Sequence, residues 1–290
     1  MERSVNRQMY AQDVDMGGIK VGQPLPTQQV DQWDPFLLMH YGNFKFKEGS
    51  DPKTSGIGPH PHRGFSPISF IYSGSIHHRD SRGNSSIVHA GGTQWTDAGM
   101  GIIHSERPTK DLAETGGYQE LIQLWVNTPA KDKMNQPAYF PLSKEDTPTK
   151  TAADGKTKIA VVSGSFEDMK GGIKPNGSIN AIRVSMETNG SYYFELPENH
   201  NAMLFVIDGE LNLHQGVAVE KKNLVLFNKD GKGVRISAKK DSEVLLLSGL
   251  PVDEEVTQYG PFVMTTQTEI MEAMRDYQQG KMGFLVEDFD

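Results

Sequence analysis

Two short strings decide the fold of this chain: GPHPHRGF at residues 58–65 and GIIHSE at residues 101–106. Each places two metal-binding side chains one residue apart, His60 with His62 and His104 with Glu106. Alternate residues of a β-strand point to the same face, so each pair can direct both side chains at one point. If the two strands oppose each other inside a barrel, three imidazoles and one carboxylate meet at a common centre.

This set of residues predicts a site for a divalent first-row metal ion. Imidazole suits Fe, Co, Ni, Cu or Zn, and the carboxylate keeps Fe and Mn in the range. Four protein ligands leave coordination positions open, which favours chemistry at the metal. His-x-His also occurs by chance in loops and strands, so the prediction depends on the second pair, His104 with Glu106.

Between the two strings, glycine turns divide the chain into short strands, as a small β-barrel requires. These turns are SGS at 73–75, SRGN at 81–84, HAGG at 89–92 and DAGMG at 97–101. Side-chain alternation sends His77 and His78 to opposite faces. At most one of the two can face the interior of the barrel.

Longer strings resemble the pirin branch of the cupin superfamily: HPHRGF at 60–65, QWTDAGMGIIHSE at 94–106, LIQLWVNTPAKDKM at 121–134 and GPFVMTT at 260–266. The resemblance implies an all-β fold of two tandem cupin-type (jelly-roll) β-barrels with a C-terminal α-helix. It also implies His60, His62, His104 and Glu106 as metal ligands, with Fe(II) as the favoured metal. Cupin-like sequences often carry His-x-Asp-Ser at the position of His78, so the resemblance favours His78 as a structural residue or a partner of the ligands, with His77 and His89 on the surface or in loops.

The same resemblance implies two functions. One is oxidative cleavage of flavonols such as quercetin, with Glu106 as the catalytic base that takes the substrate's hydroxyl proton. The alternative is a non-enzymatic regulator, in which the metal's redox state alters a surface for a protein partner. A structural barrel with an incidental metal is a third possibility. For the pocket wall, Phe46, Phe65, Trp95 and Trp125 are candidates by position, and Gln123 shares a strand face with Trp125.

One departure from the cupin pattern affects the metal site. Many cupins carry a glutamate ligand four or five residues after His-x-His, but residues 63–67 read RGFSP and contain no acid. Glu106 must then supply the carboxylate. If Glu106 points away, the site has three histidines and iron is less favoured.

Composition predicts the division of the chain. Residues 1–135 should form the metal-binding barrel, and residues 136–157, rich in Pro, Thr, Lys and Asp, should form a linker. Residues 158–290 repeat short strands at a spacing of about ten residues and should form a second barrel that ends in a helix. Only His200 and Asn201 stand where the first half has its ligands, so we expect no metal in the second barrel.

The helix prediction covers TTQTEIMEAMRDYQQG at residues 265–280. Thr266 and Glu269 form the pattern of a capping box, and Gly280 can end the helix. Ile270, Met274 and Tyr277 form one apolar stripe, which we expect to pack against a barrel wall.

Whole-chain properties exclude several classes of protein. A net charge of −8 argues against a nucleic-acid-binding surface. The chain has no cysteine, so metal ligands must be nitrogen or oxygen atoms. No apolar run approaches the roughly 20 residues needed to span a bilayer. We therefore expect a cytoplasmic protein. The pirin resemblance implies its partner, which is either a small aromatic, flavonol-like substrate or a regulatory protein.

Overall fold

The computed structural model describes residues 1–289, and nearly all of its regular structure is β-strand. Two α-helices, α1 (Lys110–Thr115) and α2 (Gln267–Gln278), and two short 3-10 turns, Ala130–Asp132 and His214–Gly216, are the helical elements in that range. The strands are β1 (Val5–Tyr10), β2 (Gln12–Asp15), β3 (Lys20–Leu25), β4 (Phe36–Phe46), β5 (Ile57–His62), β6 (Phe65–Ser73), β7 (Ser75–Asp80), β8 (Ser85–His89), β9 (Thr93–Asp97), β10 (Ile102–Pro108), β11 (Gly117–Asn127), β12 (Ala138–Leu142), β13 (Thr149–Thr151), β14 (Thr157–Ser163), β15 (Ser165–Phe166), β16 (Met169–Lys170), β17 (Ile179–Met186), β18 (Ser191–Glu195), β19 (Asn201–Asp208), β20 (Glu210–Asn212), β21 (Ala218–Glu220), β22 (Asn223–Phe227), β23 (Gly233–Ala238), β24 (Ser242–Gly249), β25 (Thr257–Tyr259) and β26 (Phe262–Met264).

The chain forms two compact units, and each is built from two separate stretches of sequence. The histidine unit consists of Gly42–Lys144 and the chain from Val252 onward. The second unit consists of Met1–Tyr41 and Glu145–Pro251. Each unit contains two antiparallel sheets, the arrangement of a double-sheet jelly roll. The predicted all-β architecture of two barrels is confirmed.

The histidine unit pairs a four-stranded sheet of order β5-β10-β7-β8 with a sheet in which β12, β9, β6, β11 and β4 are neighbours. Apolar residues from both sheets, Ile71, Ile76, Val88 and Leu121, form one buried cluster. Alternation along each strand sends one set of side chains into this interior, and that set includes the histidines of β5 and β10.

The second unit contains a seven-stranded sheet of order β1-β22-β19-β24-β17-β14-β13 and a four-stranded sheet of order β18-β23-β20-β21. Its core includes Val184, Leu204 and Leu246 from the larger sheet and Phe194 and Ile236 from the smaller one. The hairpin β2-β3 belongs to this unit, and β3 pairs with the first half of β4.

These boundaries differ from the predicted ranges 1–135, 136–157 and 158–290. The first 41 residues belong to the second unit, because Val5–Tyr10 pairs with β22, more than 200 positions along the chain. The predicted linker contains strands: β12 pairs with β9, and β13 pairs with β14. Its polar composition reflects edge strands and turns, which composition cannot distinguish from a linker.

Helix α2 belongs to the histidine unit, whereas the sequence analysis placed it at the end of the second barrel. Ile270 and Ala273 are fully buried with Ile103, Met264 and Met282. The predicted capping box is confirmed, since the Thr266 side chain accepts from the Glu269 amide and the Glu269 side chain accepts from the Thr266 amide. Two residues of the predicted stripe pack as expected, since Ile270 is in this cluster and Met274 packs against it. Tyr277 is instead 40 % exposed, and the buried Ala273 was not predicted.

Within residues 1–289, every helix is too short or too polar to traverse a lipid bilayer.

Candidate metal centre

Strand pairing brings the two histidine strings together. Strands β5 and β10 are antiparallel, with His60 opposite His104 and His62 opposite Ile102. Residues opposite each other share a face, and His60 and His62 share a face because Pro61 lies between them. The register therefore places all three imidazoles on the same side of the sheet.

The three imidazoles form a compact cluster. Their ring centroids are 4.7 Å apart for His60 and His62, 4.4 Å for His60 and His104, and 4.9 Å for His62 and His104. One nitrogen from each ring lies within 4.8 Å of one nitrogen from each of the others. Three nitrogens at this mutual spacing can bind one ion, because metal–nitrogen bonds are about 2.0–2.1 Å long.

The hydrogen bonding of these rings fits a metal ion. His60 donates from Nδ1 to the carbonyl oxygen of Gly58 at 2.8 Å, which leaves a lone pair on Nε2. Neither nitrogen of His104 has a hydrogen-bond partner among the described residues, although the side chain is 1 % exposed. Buried polar atoms are normally paired, so bare nitrogens aimed at two other imidazoles indicate a ligand that is not protein.

Burial keeps His62 and His104 neutral. It lowers the pKa of His62 and His104 well below the usual value, and positive charge on neighbouring histidines would lower both further. The carbonyl oxygen of Pro261 opposes this effect at His62. A neutral imidazole is the form that binds metal, so the site is ready for a cation at neutral pH.

Glu106 lies inside the barrel but outside the cluster of nitrogens within 4.8 Å. Its carboxylate accepts hydrogen bonds from Ser69 Oγ at 2.9 Å, from Gln94 Nε2 and from Gln123 Nε2 at 3.0 Å. The β5–β10 register shifts between His104 and Glu106, so that Glu106 lies opposite Ile57. The structure thus brings together three of the four predicted ligands, and Glu106 as a ligand stays a prediction.

The sequence analysis did not identify two of the three residues that donate hydrogen bonds to Glu106. Ser69 and Gln94 are each 2 % exposed. For Ser69 the signal was a single polar residue in the apolar run PISFI, and for Gln94 it was a polar residue beside a tryptophan in the short strand TQWTD. A buried polar side chain requires a partner, so either residue could have been assigned to a polar site in the interior.

Aromatic side chains close one side of the cluster. The ring of Phe65 lies 5.1 Å from that of His62, and the Trp125 ring lies 5.5 Å from it. Two other predicted wall residues lie differently: Trp95 donates from Nε1 to Asp97, and Phe46 is half-buried at the end of β4. Phe65 and Trp125 are therefore the aromatic residues that contact the cluster.

The turn after His62 is held by charged side chains. Arg63 donates from Nε to the carbonyl of Met100 at 2.6 Å and from both Nη atoms to Asp276 at 3.1 Å. Lys133 donates to the carbonyl oxygens of Gly64 and Val263. Burial lowers the pKa of Lys133 to about 8. These contacts fix the backbone next to the ligand strand, as a precise metal site requires.

In the second unit, the side chains that stand in place of ligands are already hydrogen-bonded. His200 lies 3.2 Å from Ser178 Oγ through Nε2 and 3.2 Å from Ser248 Oγ through Nδ1. Asn201 donates to the carbonyl of Asp34 at 2.6 Å. That the second unit binds no metal stays a prediction.

Comparison with known proteins identifies the family. A family model described as Pirin matches residues 18–126, and one described as Pirin C-terminal cupin domain matches residues 181–283. A pirin-like protein of Caulobacter vibrioides is 35 % identical over 269 residues, which cover 92 % of this chain and 94 % of that protein.

Two further relatives have names that refer to an activity. A Pseudomonas aeruginosa protein named "Putative quercetin 2,3-dioxygenase PA2418" is 33 % identical, over 85 % of this chain and 86 % of its own length. The crystal structure of quercetin 2,3-dioxygenase from Acinetobacter baumannii matches with a TM-score of 0.91 at 29 % identity, over 99 % of this chain and all of that one. From the family models, the relatives and the shared fold we conclude that the chain belongs to the pirin family.

Proposed function

We propose that this chain is a metal-dependent dioxygenase that cleaves flavonols such as quercetin, with Fe(II) as the favoured metal. The observation that supports it most is the buried group of His60, His62 and His104, whose nitrogens converge. Both nitrogens of His104 lack a hydrogen-bond partner among residues 1–289. The names of the Pseudomonas and Acinetobacter relatives support the choice of substrate.

The residues around the cluster fit an aromatic substrate rich in oxygen atoms. Phe65 and Trp125 present flat apolar surfaces next to His62, and such walls suit the rings of a flavonol. The indole Nε1 of Trp125 has no acceptor within residues 1–289. It can donate a hydrogen bond to a substrate oxygen, which would orient the rings above the metal.

In this proposal His60, His62 and His104 hold the metal, and Glu106 takes the proton of the flavonol hydroxyl. The metal would supply Lewis-acid and redox chemistry for the reaction with O2. Gln94 and Gln123 donate to opposite oxygens of Glu106, so they fix the direction in which the carboxylate faces a bound hydroxyl. The alternative role for Glu106 is that of the fourth metal ligand.

The test is oxygen-dependent turnover by protein reconstituted with Fe(II) without air. Addition of quercetin and O2 should remove the flavonol absorbance band and release carbon monoxide in step with it. His60→Ala should abolish both iron retention and turnover. His77→Ala is the matched control, since His77 lies on the same sheet, is half-buried and contacts Ser85, and it should behave as the parent protein.

Other outcomes overturn the proposal in distinct ways. Stoichiometric iron with turnover no faster than free iron would favour the regulatory alternative, in which the Fe(II) and Fe(III) forms differ in binding a protein partner. Failure of elemental analysis to find a stoichiometric metal in the purified protein would favour the structural barrel.

A further inference from the structure

A fourth histidine, His78, faces the interior next to the three histidines of the metal cluster. Strand β10 pairs with β7 as well as β5, with Glu106 opposite His78 and His104 opposite Asp80. Opposite residues in an antiparallel pair share a face, so His78 and Asp80 point to the same side as the metal-site residues. Both are buried, with His78 at 0 % and Asp80 at 4 % exposure.

The hydrogen bonds of Asp80 determine which nitrogen of His78 carries hydrogen. Asp80 Oδ1 accepts from the amides of Arg82 and Asn84, and Oδ2 accepts from Asn84 Nδ2 at 2.8 Å and contacts His78 Nε2 at 3.0 Å. Burial alone would raise the pKa of Asp80, but these bonds lower it below the usual value. An ionised carboxylate only accepts, so His78 Nε2 is the donor and carries the hydrogen.

His78 Nδ1 is consequently a bare acceptor. It is buried and has no partner in the described part of the chain. The ring cannot turn freely, because it stacks on Tyr139 with centroids 3.8 Å apart and planes within 5°. An unpaired buried acceptor is costly, and a fixed one indicates that a donor reaches it in the functional state.

His104 has the complementary requirement. When one nitrogen of a neutral imidazole binds a metal, the other carries hydrogen and needs an acceptor. His104 has no such acceptor within residues 1–289. Its ring centroid lies 5.3 Å from that of His78, with the planes inclined by 59°. The N–H donor of a metal-bound His104 and the bare Nδ1 acceptor of His78 therefore lie on neighbouring rings.

We propose that His78 is a positioning residue for the metal: its Nδ1 accepts a hydrogen bond from the N–H of metal-bound His104, and Asp80 holds His78 in the required tautomer. The chain of contacts runs from carboxylate to imidazole to imidazole to metal. It increases the electron density on His104 and fixes that ring's direction. This inference rests on the metal site of the proposed function but not on the dioxygenase activity.

The first test measures affinity for Ni²⁺ by competition with a chelator, so no turnover is involved. His78→Phe keeps a ring against Tyr139 and removes the acceptor, and it should weaken Ni²⁺ binding about 10- to 100-fold, the usual effect of losing such a partner. His77→Phe makes the same change on the opposite face and should bind Ni²⁺ as the parent protein does. Equal affinity in His78→Phe and the parent overturns the proposal.

A second measurement needs no variant and separates positioning from a general loss of packing. In Zn²⁺-loaded protein with ¹⁵N-labelled histidine, the side-chain N–H proton of His104 should be protected from exchange and show coupling to His78 Nδ1. His78 should carry its own hydrogen on Nε2. Hydrogen on His78 Nδ1, or a His104 N–H that exchanges freely with water, would refute the proposal. Because this measurement uses the parent protein, it does not depend on whether the variants fold.

Discussion

Gly64 immediately follows the ligand strand, and its replacement by alanine tests how rigidly that strand is held. Its φ is +86°, and a Cβ placed on it would lie 2.0 Å from the carbonyl oxygen of Val263 and 2.8 Å from Met264 Sδ. The neighbouring backbone cannot retreat easily. Arg63 N donates to the carbonyl of Pro261 at 3.4 Å and Val263 N to the carbonyl of Arg63 at 3.1 Å. Lys133 also donates to the carbonyl oxygens of Gly64 and Val263.

The loss of unfolding free energy expected for Gly64→Ala has two parts. The left-handed backbone costs an alanine about 1 kcal/mol more than a glycine. Relieving the contact with Val263 requires a shift of about 1 Å, which breaks about two of these hydrogen bonds at ~1 kcal/mol each. We expect Gly64→Ala to reduce the free energy of unfolding by about 3 kcal/mol.

Gly83 provides a matched control, because its φ is +87° and a Cβ there would meet nothing within 4 Å. Gly83→Ala should therefore cost about 1 kcal/mol, the backbone part alone. Urea unfolding of the metal-free proteins measures both values, and chelator competition with Ni²⁺ measures the displacement of His60 and His62. If the two variants unfold at the same urea concentration and bind Ni²⁺ equally, the close contact with Val263 does not restrain the ligand strand.

Three further predictions concern charge. Glu106→Gln removes the proposed base, so flavonol turnover should fall at least about 100-fold. Because the substitution keeps the shape of the side chain, Ni²⁺ affinity should change less than about tenfold. Loss of metal binding would instead make Glu106 a ligand. Asp276→Asn weakens the pairing with Arg63 and should cost about 1–2 kcal/mol in thermal unfolding, whereas the exposed Glu272→Gln on the same helix should cost under about 0.5 kcal/mol. Burial lowers the pKa of His40 in the folded protein to about 4. In the unfolded chain His40 is protonated as the pH falls below about 6.5, so protonation favours unfolding between these two values. About 3 kcal/mol of stability should be lost by about pH 4. Urea unfolding of His40→Gln across this range should lack that loss, and an identical slope would contradict the assignment.

Within the metal cluster, the pair His60 and His62 could be predicted because its determinants are local, whereas the approach of His104 depends on the register between β5 and β10. His60 and His62 share a face through strand alternation, which depends on the backbone of three consecutive residues. The same holds for the capping box of α2, where Thr266 and Glu269 are three positions apart. Interactions over such short separations are fixed by chain geometry, so the sequence alone determines them.

The surroundings of Glu106 and the division of the chain needed the tertiary structure. Ser69, Gln94 and Gln123 come from three strands, and nothing in any one of them specifies which carboxylate it will meet. The assignment of β1 to the second unit rests on its pairing with β22.

By itself, the sequence determined that the chain is all-β and that three imidazoles can face one point. The tertiary structure alone decided that Glu106 is held by two glutamines and a serine, and that a tautomer-fixed His78 lies beside His104. The physical reason is that the register between strands is set by packing of the whole barrel, and a shift of one residue would turn each of these side chains to the opposite face.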